Sequence, residues 1–257
     1  QPQAEYISAV LELACNGYSG TKESISEQTG IPTGKQKGKV VPHLKYAQYM
    51  GLLSFTSEGG VYDLKPTPLG ERVYMEDPYL LEGLTRLVCN YYLTDKQDGA
   101  PQWSYIFHTL PHLLDQPVDC EYLKDRCNAF FGFPVELGVV KNSYQSGMFE
   151  SLKMLNWSDK ALVFNRGFVS KQYMPVYAYT LIDTWERILP GQREVPLPMI
   201  LNDLGWGAGF GFDEADISMV IDALADEQCV QVNRQLFPVT VSDLRGKRIC
   251  FLDCTII

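Results

Sequence analysis

Histidine is scarce in this 257-residue chain, three in all, and the seven cysteines include no CxxC pair. Metal sites and nucleophile–base couples draw heavily on those two residue types, so their scarcity narrows the chemistry available. No GxSxG elbow and no GxxxxGK[ST] phosphate loop occurs either. No apolar run approaches the ~18–20 residues that a membrane span needs. The chain opens without a basic stretch leading into an apolar segment, so no signal peptide is read. An odd cysteine count without a spaced framework fits buried thiols in a reducing cytoplasm. The first residue is Gln instead of Met, which reads as a processed chain or a fragment. Net charge is −9, which opposes broad, non-specific attraction to nucleic acid.

What is present is a globular composition, 46% hydrophobic and 12% aromatic, in a chain long enough for several small cores that share faces. Ile7, Val10, Leu11 and Ala14 give a helical stripe that stops at Asn16-Gly17. Thr21 is a candidate N-cap for a short helix closed by Thr29-Gly30, and Ile31-Pro32 makes the turn. Val40, Val41, Leu44, Ala47 and Met50 form one apolar face of a third helix. Pro42 would cost a helix interior ~3 kcal/mol or more, so regular helix is expected from about Val41. Leu52–Phe55 and Val61–Leu64 flank Ser57-Glu58-Gly59-Gly60, a hairpin composition. This order is that of the winged helix-turn-helix, with the hairpin as its wing.

Pro66-Thr67-Pro68-Leu69-Gly70 interrupts the pattern. Asp77-Pro78 then caps a long helix lined by Leu80, Leu84, Leu87, Val88 and Tyr91, and a second helix follows over residues 103–114. The pattern then recurs. Helices over 120–131 and 143–155 lead to a hairpin at 161–164. Helices over 176–189, 198–204 and 213–228 lead to strands at 229–232 and 236–241. The expected fold is mainly α with small β-hairpins, in tandem winged helix-turn-helix units. Residues 1–68 form an N-terminal winged helix, 69–116 a helical linker block, 117–172 a second winged-helix-like unit and 173–257 a third.

Charge is uneven along this framework. Residues 33–45 hold Lys35, Lys37, Lys39 and Lys45 with no acid, whereas residues 213–227 hold six acids and no base. In a helix-turn-helix the third helix enters the major groove, and flanking lysines neutralise phosphates. Lys35, Lys37, Lys39 and Lys45 are therefore the candidate phosphate contacts, with Gln36 and Gln48 as candidate base readers. A solvated helix face used for protein contact explains the same residues. The acids Asp213, Glu214, Asp216, Asp222, Asp226 and Glu227 read as a solvated helix face, or as a surface for a basic partner.

His108 and His112 share the i, i+4 spacing of metal ligands, but Pro111 lies between them and the Glu of HExxH is missing; ordinary histidines are the expectation. Gly205-Trp206-Gly207-Ala208-Gly209-Phe210-Gly211 lacks the parallel strand that a dinucleotide fingerprint requires. A flexible or ligand-gripping loop with exposed Trp206 and Phe210 is one reading; the expectation is that these aromatics fold back onto the core.

Pro66–Glu71, Asp77-Pro78-Tyr79-Leu80, the helix-hairpin over residues 143–164, the helix over 177–189 and Gly209-Phe210-Gly211-Phe212-Asp213-Glu214 together resemble a bacterial family, the domain-of-unknown-function family numbered 4007. The resemblance covers most of the chain. It implies a setting beside sulfur-transfer genes of DNA phosphorothioation and related phage-defence loci, and carries over no catalytic residue. The expected function is a non-enzymatic DNA-associated binding or regulatory subunit of a DNA-modification or phage-defence system. It needs no cofactor or metal, contacts double-stranded DNA and protein partners of that system, and works in the cytoplasm away from membranes. The alternative is a protein–protein adaptor whose winged helices dock a larger modification or restriction enzyme.

Overall fold

Among the described residues, three short antiparallel sheets, each of three strands, punctuate a mainly helical fold. The computed structural model describes residues 1–34, 38–113, 116–236, 238 and 240–243. Helix accounts for about 54% of it, against the roughly 30–35% of an average soluble domain. No described helix is long and apolar enough to cross a membrane.

The first stretch runs α1 (Ala4–Cys15), β1 (Ser19–Thr21), α2 (Lys22–Thr29), α3 (Val40–Tyr49), β2 (Leu53–Glu58) and β3 (Val61–Pro66). Two helices follow, α4 (Pro68–Glu76) and α5 (Gly83–Thr94). Next comes α6 (Pro101–Ser104), which passes through a π-helical turn, Tyr105–Thr109, into α7 (Leu110–Leu113). Then come β4 (Val118–Asp119), α8 (Cys120–Phe131), α9 (Gly138–Gln145), β5 (Leu155–Trp157) and β6 (Ala161–Phe164). The last stretch is α10 (Met174–Ile188), β7 (Glu194–Pro196), α11 (Leu197–Asn202), α12 (Glu214–Asp226), β8 (Val230–Asn233) and β9 (Thr240–Asp243). Strand orders are β1-β3-β2, β4-β6-β5 and β7-β9-β8. One sequence of elements, helix–strand–helix–helix–strand–strand, therefore occurs three times, and no described sheet exceeds three strands.

Local chemistry explains the boundaries. The Thr21 hydroxyl accepts from Ser24 N at 3.2 Å, and Gly30 closes α2 in the left-handed region at φ 71°. Asp213 caps α12 in a reciprocal capping box with Asp216. Pro42 proves harmless. It occupies the first turn of α3, where backbone N–H groups have no intrahelical acceptor to lose.

The structure corrects the expected boundaries in three places. Asp77 does not begin α5, because its carboxylate accepts from Leu81 N and Glu82 N at 2.9 Å each and holds a tight turn before Gly83. The helix expected over 143–155 is α9, which starts at Gly138 and ends at Gln145, with a short 3₁₀ turn at Glu150–Leu152. Of the strand expected over 236–241, only the part from Thr240 onward is a described strand, and residues 237 and 239 lie outside the described residues. The expected helix over 103–114 likewise runs one residue beyond the described ones.

At the centre lies α5. Fully buried Asn90 donates from Nδ2 to Gly209 O at 2.8 Å and accepts from the Tyr144 hydroxyl through Oδ1, joining α5 to the middle and last stretches of chain. Trp206 and Phe210 fold inward, 1% and 2% exposed, and Phe210 stacks on Tyr91 with centroids 4.9 Å apart. A Cβ on Gly209 would lie 2.7 Å from Thr94 Oγ1. The glycine-rich segment is thus a close-packed joint and not a ligand-gripping loop.

Candidate nucleic-acid interface

The turn between α2 and α3 is built around Ile31, which is fully buried and whose carbonyl accepts from Ser26 Oγ at 2.6 Å. Lys39 N donates to Pro32 O at 2.7 Å. Lys35, Gln36 and Lys37 lie outside the described residues. Lys39 sits at the base of α3, where its ammonium donates to Gln3 Oε1 at 2.9 Å and stands 5.5 Å from the centroid of the Tyr6 ring. Lys45 and Gln48 are exposed on the outer side of α3.

His43 ties this helix to α1. Its Nδ1 hydrogen donates to Lys39 O at 2.7 Å and its Nε2 accepts from Gln3 N at 3.2 Å, which fixes the neutral tautomer. Burial, aided by the positive charges of the N-terminus and Lys39, pushes its pKa down to about 4. Tyr6 and Tyr46 meet the ring edge-on, with centroids 5.0 Å and 5.8 Å away. His43 is a structural clamp and adds no positive charge to the lysine segment near neutral pH.

The outer side of α3 does not stand clear of the molecule. On one flank, Lys45, Tyr46 and Tyr49 face Trp103, Phe131 and Phe133 across an apolar groove of about 450 Å³. On the other, Gln48 and Tyr49 border a second groove of about 440 Å³ that also holds Asp95, Asp98, Asp183 and Arg187. Arg187 pairs with Asp95 at 2.7 Å and Asp98, and approaches Asp183 at 4.0 Å. Burial by itself would raise the Asp95 carboxyl, but Arg187 and the N–H groups of Asp98 and Gln97 hold it below the usual carboxylate range. Three acids against one arginine make this flank unwelcoming to phosphate. A duplex groove laid along the whole of α3 would bring phosphates towards that acidic side.

The remaining predicted residues separate. Asp216 leaves the expected solvated acidic face: its side chain is 5% exposed and accepts two hydrogen bonds from Arg166, at 2.8 Å and 3.0 Å. That Arg166 contact, with the Asp213 N–H, outweighs desolvation and holds the Asp216 carboxyl below its ordinary value. Asp222 pairs with Arg234. His108 lies in the π-helical turn, whereas the His112 side chain is outside the described atoms. Among the described residues, no group of three or more His, Cys, Asp or Glu is placed to hold a metal ion. Sequence reading missed both grooves, because their walls come from segments far apart in the chain.

No family model matches this chain, and no curated protein matches it. Two solved structures share its fold over 98% of its length and 83% of theirs. One is described as a magnesium ion-bound SspB crystal structure, 18% identical with a TM-score of 0.72. The other is described as an SspB crystal structure, 17% identical with a TM-score of 0.70.

Proposed function

We propose that this chain is a non-enzymatic DNA-associated subunit of a bacterial DNA-modification or phage-defence system, working in the cytoplasm and belonging with the family numbered 4007. The observation that carries the reading is the thrice-repeated order of helix, strand, helix, helix and hairpin, the order of the winged helix-turn-helix. A four-lysine, acid-free stretch falls at the turn and third helix of the first repeat. The SspB structures share this chain's fold over 98% of its length. DNA meets the stretch of sequence with Lys35, Gln36 and Lys37, which lie outside the described residues, together with Lys39 and Lys45. Gln48, beside the acidic groove, serves as the far boundary of that surface. Electrophoretic binding to duplex DNA across a salt series tests this. Replacing Lys35, Lys37 and Lys39 together by Ala should weaken binding uniformly across sequences. The slope of log K against log salt should also flatten by about 0.9 for each phosphate no longer neutralised. Unchanged affinity and slope would remove DNA from this face.

The acidic groove favours a second reading, an adaptor that docks a larger enzyme. Asp95, Asp98 and Asp183 outnumber Arg187 there, and a basic partner segment would complete the charge. Loss of partner capture on reversing exposed Asp98 to Lys, with DNA binding unaltered, would place the adaptor ahead.

One neighbour carries a magnesium ion. Magnesium takes oxygen ligands and usually one or two carboxylates. The Asp213–Asp216 pair of this chain already neutralises Arg166, at 3.1 Å and 2.8 Å, and no trio of ligand side chains assembles among the described residues. The purified protein is expected to leave supercoiled plasmid intact with or without magnesium; nicking would overturn the non-enzymatic assignment.

A further inference from the structure

We propose that the apolar groove beside α3 is a stacking site for a single unpaired nucleobase, preferring bases that carry an exocyclic amino group. This rests on the DNA reading above and adds to it the form of DNA recognised.

Five of the thirteen residues lining the groove are aromatic, against 12% of the whole chain. Tyr46 and Tyr49 come from α3, Trp103 from α6, Phe131 from the end of α8 and Phe133 from just beyond it. Tyr46 meets Trp103 edge-on at 5.7 Å, and Phe131 meets Phe133 tilted at 6.0 Å. Neither pair is stacked, and Phe133 stays 58% exposed. A volume of about 450 Å³ falls within the roughly 300–1,000 Å³ of small-ligand sites. Apolar, partly open and lined by aromatic rings, it can take a π-faced ring.

Two charged side chains set which ring. Lys45 lines the groove, as do Val41 and Pro42 at the start of α3, so a phosphate held by the Lys45 ammonium brings its base to this opening. An apolar protein segment would gain nothing from that ammonium. The acid in the lining, Glu136, accepts hydrogen bonds only, and adenine, cytosine and guanine offer an exocyclic amino donor where thymine has none. Gln102 can both donate and accept beside it. The acids on the far flank of α3 disfavour phosphate there, and extrusion of one base meets the protein without laying that helix along a duplex.

The experiment compares the full chain binding a fluorescently labelled paired duplex with the same duplex carrying one bulged adenosine or one bulged thymidine. The adenosine bulge should bind about tenfold more tightly than the paired duplex, the scale of one base–aromatic stack. A 2-aminopurine placed at the bulge should lose fluorescence on binding. Phe133→Ala, at an exposed rim position, should remove the advantage of the bulge and leave paired-duplex affinity and the melting temperature unchanged. Glu136→Gln should narrow the gap between the adenosine and thymidine bulges. Equal binding of bulged and paired duplexes overturns the proposal while the DNA reading stands. A bulge advantage that survives Phe133→Ala overturns it too, because the base is then held elsewhere. Protection of the groove by N-acetyltryptophanamide, with no 2-aminopurine response, would assign it to a protein's aromatic anchor and overturn the proposal. Failure to bind either duplex removes the DNA reading itself.

Discussion

Replacing Arg187 by Met tests the joint between α5 and α10. The Asp95 side chain is 5% exposed and that of Arg187 28%. Their pairing at 2.7 Å is joined by two N–H groups, Gln97 N and Asp98 N, each 2.9 Å from Asp95 Oδ1. Removing one member of a buried pair costs about 3–5 kcal/mol, because the other charge is stranded. The two backbone donors still hold one carboxylate oxygen. Asp98, 72% exposed, adds little as a surface pair. The low end, about 3 kcal/mol, therefore applies. At ~2–4 °C per kcal/mol for a chain of this size, Arg187→Met should lower Tm by ~6–12 °C. Adding Asp95→Asn should restore most of the loss, since the amide oxygen still accepts from Gln97 and Asp98 and no charge is left behind. Thermal melts followed by circular dichroism measure both. A fall of less than about 2 °C in the single variant, or a double variant no more stable than the single, would refute the assignment of Arg187 as the neutraliser of a buried acid.

Asn90→Leu should cost about 3 kcal/mol or more in urea unfolding, because it strands both the Tyr144 hydroxyl and the Gly209 carbonyl in the core; a change under about 1 kcal/mol would contradict the bridging role. Gly70→Ala should disrupt packing of α4 on the first hairpin, since its Cβ would fall 1.8 Å from Leu52 O, a backbone atom that cannot yield; an unaltered proton–nitrogen correlation spectrum would rule that out. Asp95 and Asp216 both have carboxyls held below the ordinary value of 3.8. Their contributions are complete above the unfolded value of about 3.9 and are lost as pH falls through the lower folded values. Acid melts should therefore steepen below about pH 4, and Asp216→Asn should reduce that steepening; an acid profile unchanged by the substitution would show that Arg166 leaves no titratable stability.

Helices with a continuous apolar stripe were legible in the sequence. The helix expected over residues 120–131 is α8, and α10 and α12 lie within two residues of their expected ends, because a period near 3.6 is a local property of the chain. The third strand of each sheet was not. Strands β1, β4 and β7 have two or three residues, too few for an alternation to register, and exist only through pairing with β3, β6 and β9. At the candidate interface the sequence by itself supplied the lysines, a run of charge needing no fold to be seen. Only the tertiary structure decided what surrounds them. It turned Lys39 onto Gln3 and Tyr6, buried Asp216 against Arg166, and set an acidic groove and an aromatic one on either flank of α3. Those walls join Tyr46 to Trp103 and Phe133, and Gln48 to Asp98 and Arg187. Residues so distant in the chain leave no local pattern; they meet because burying the apolar faces of separate helices brings them to one surface.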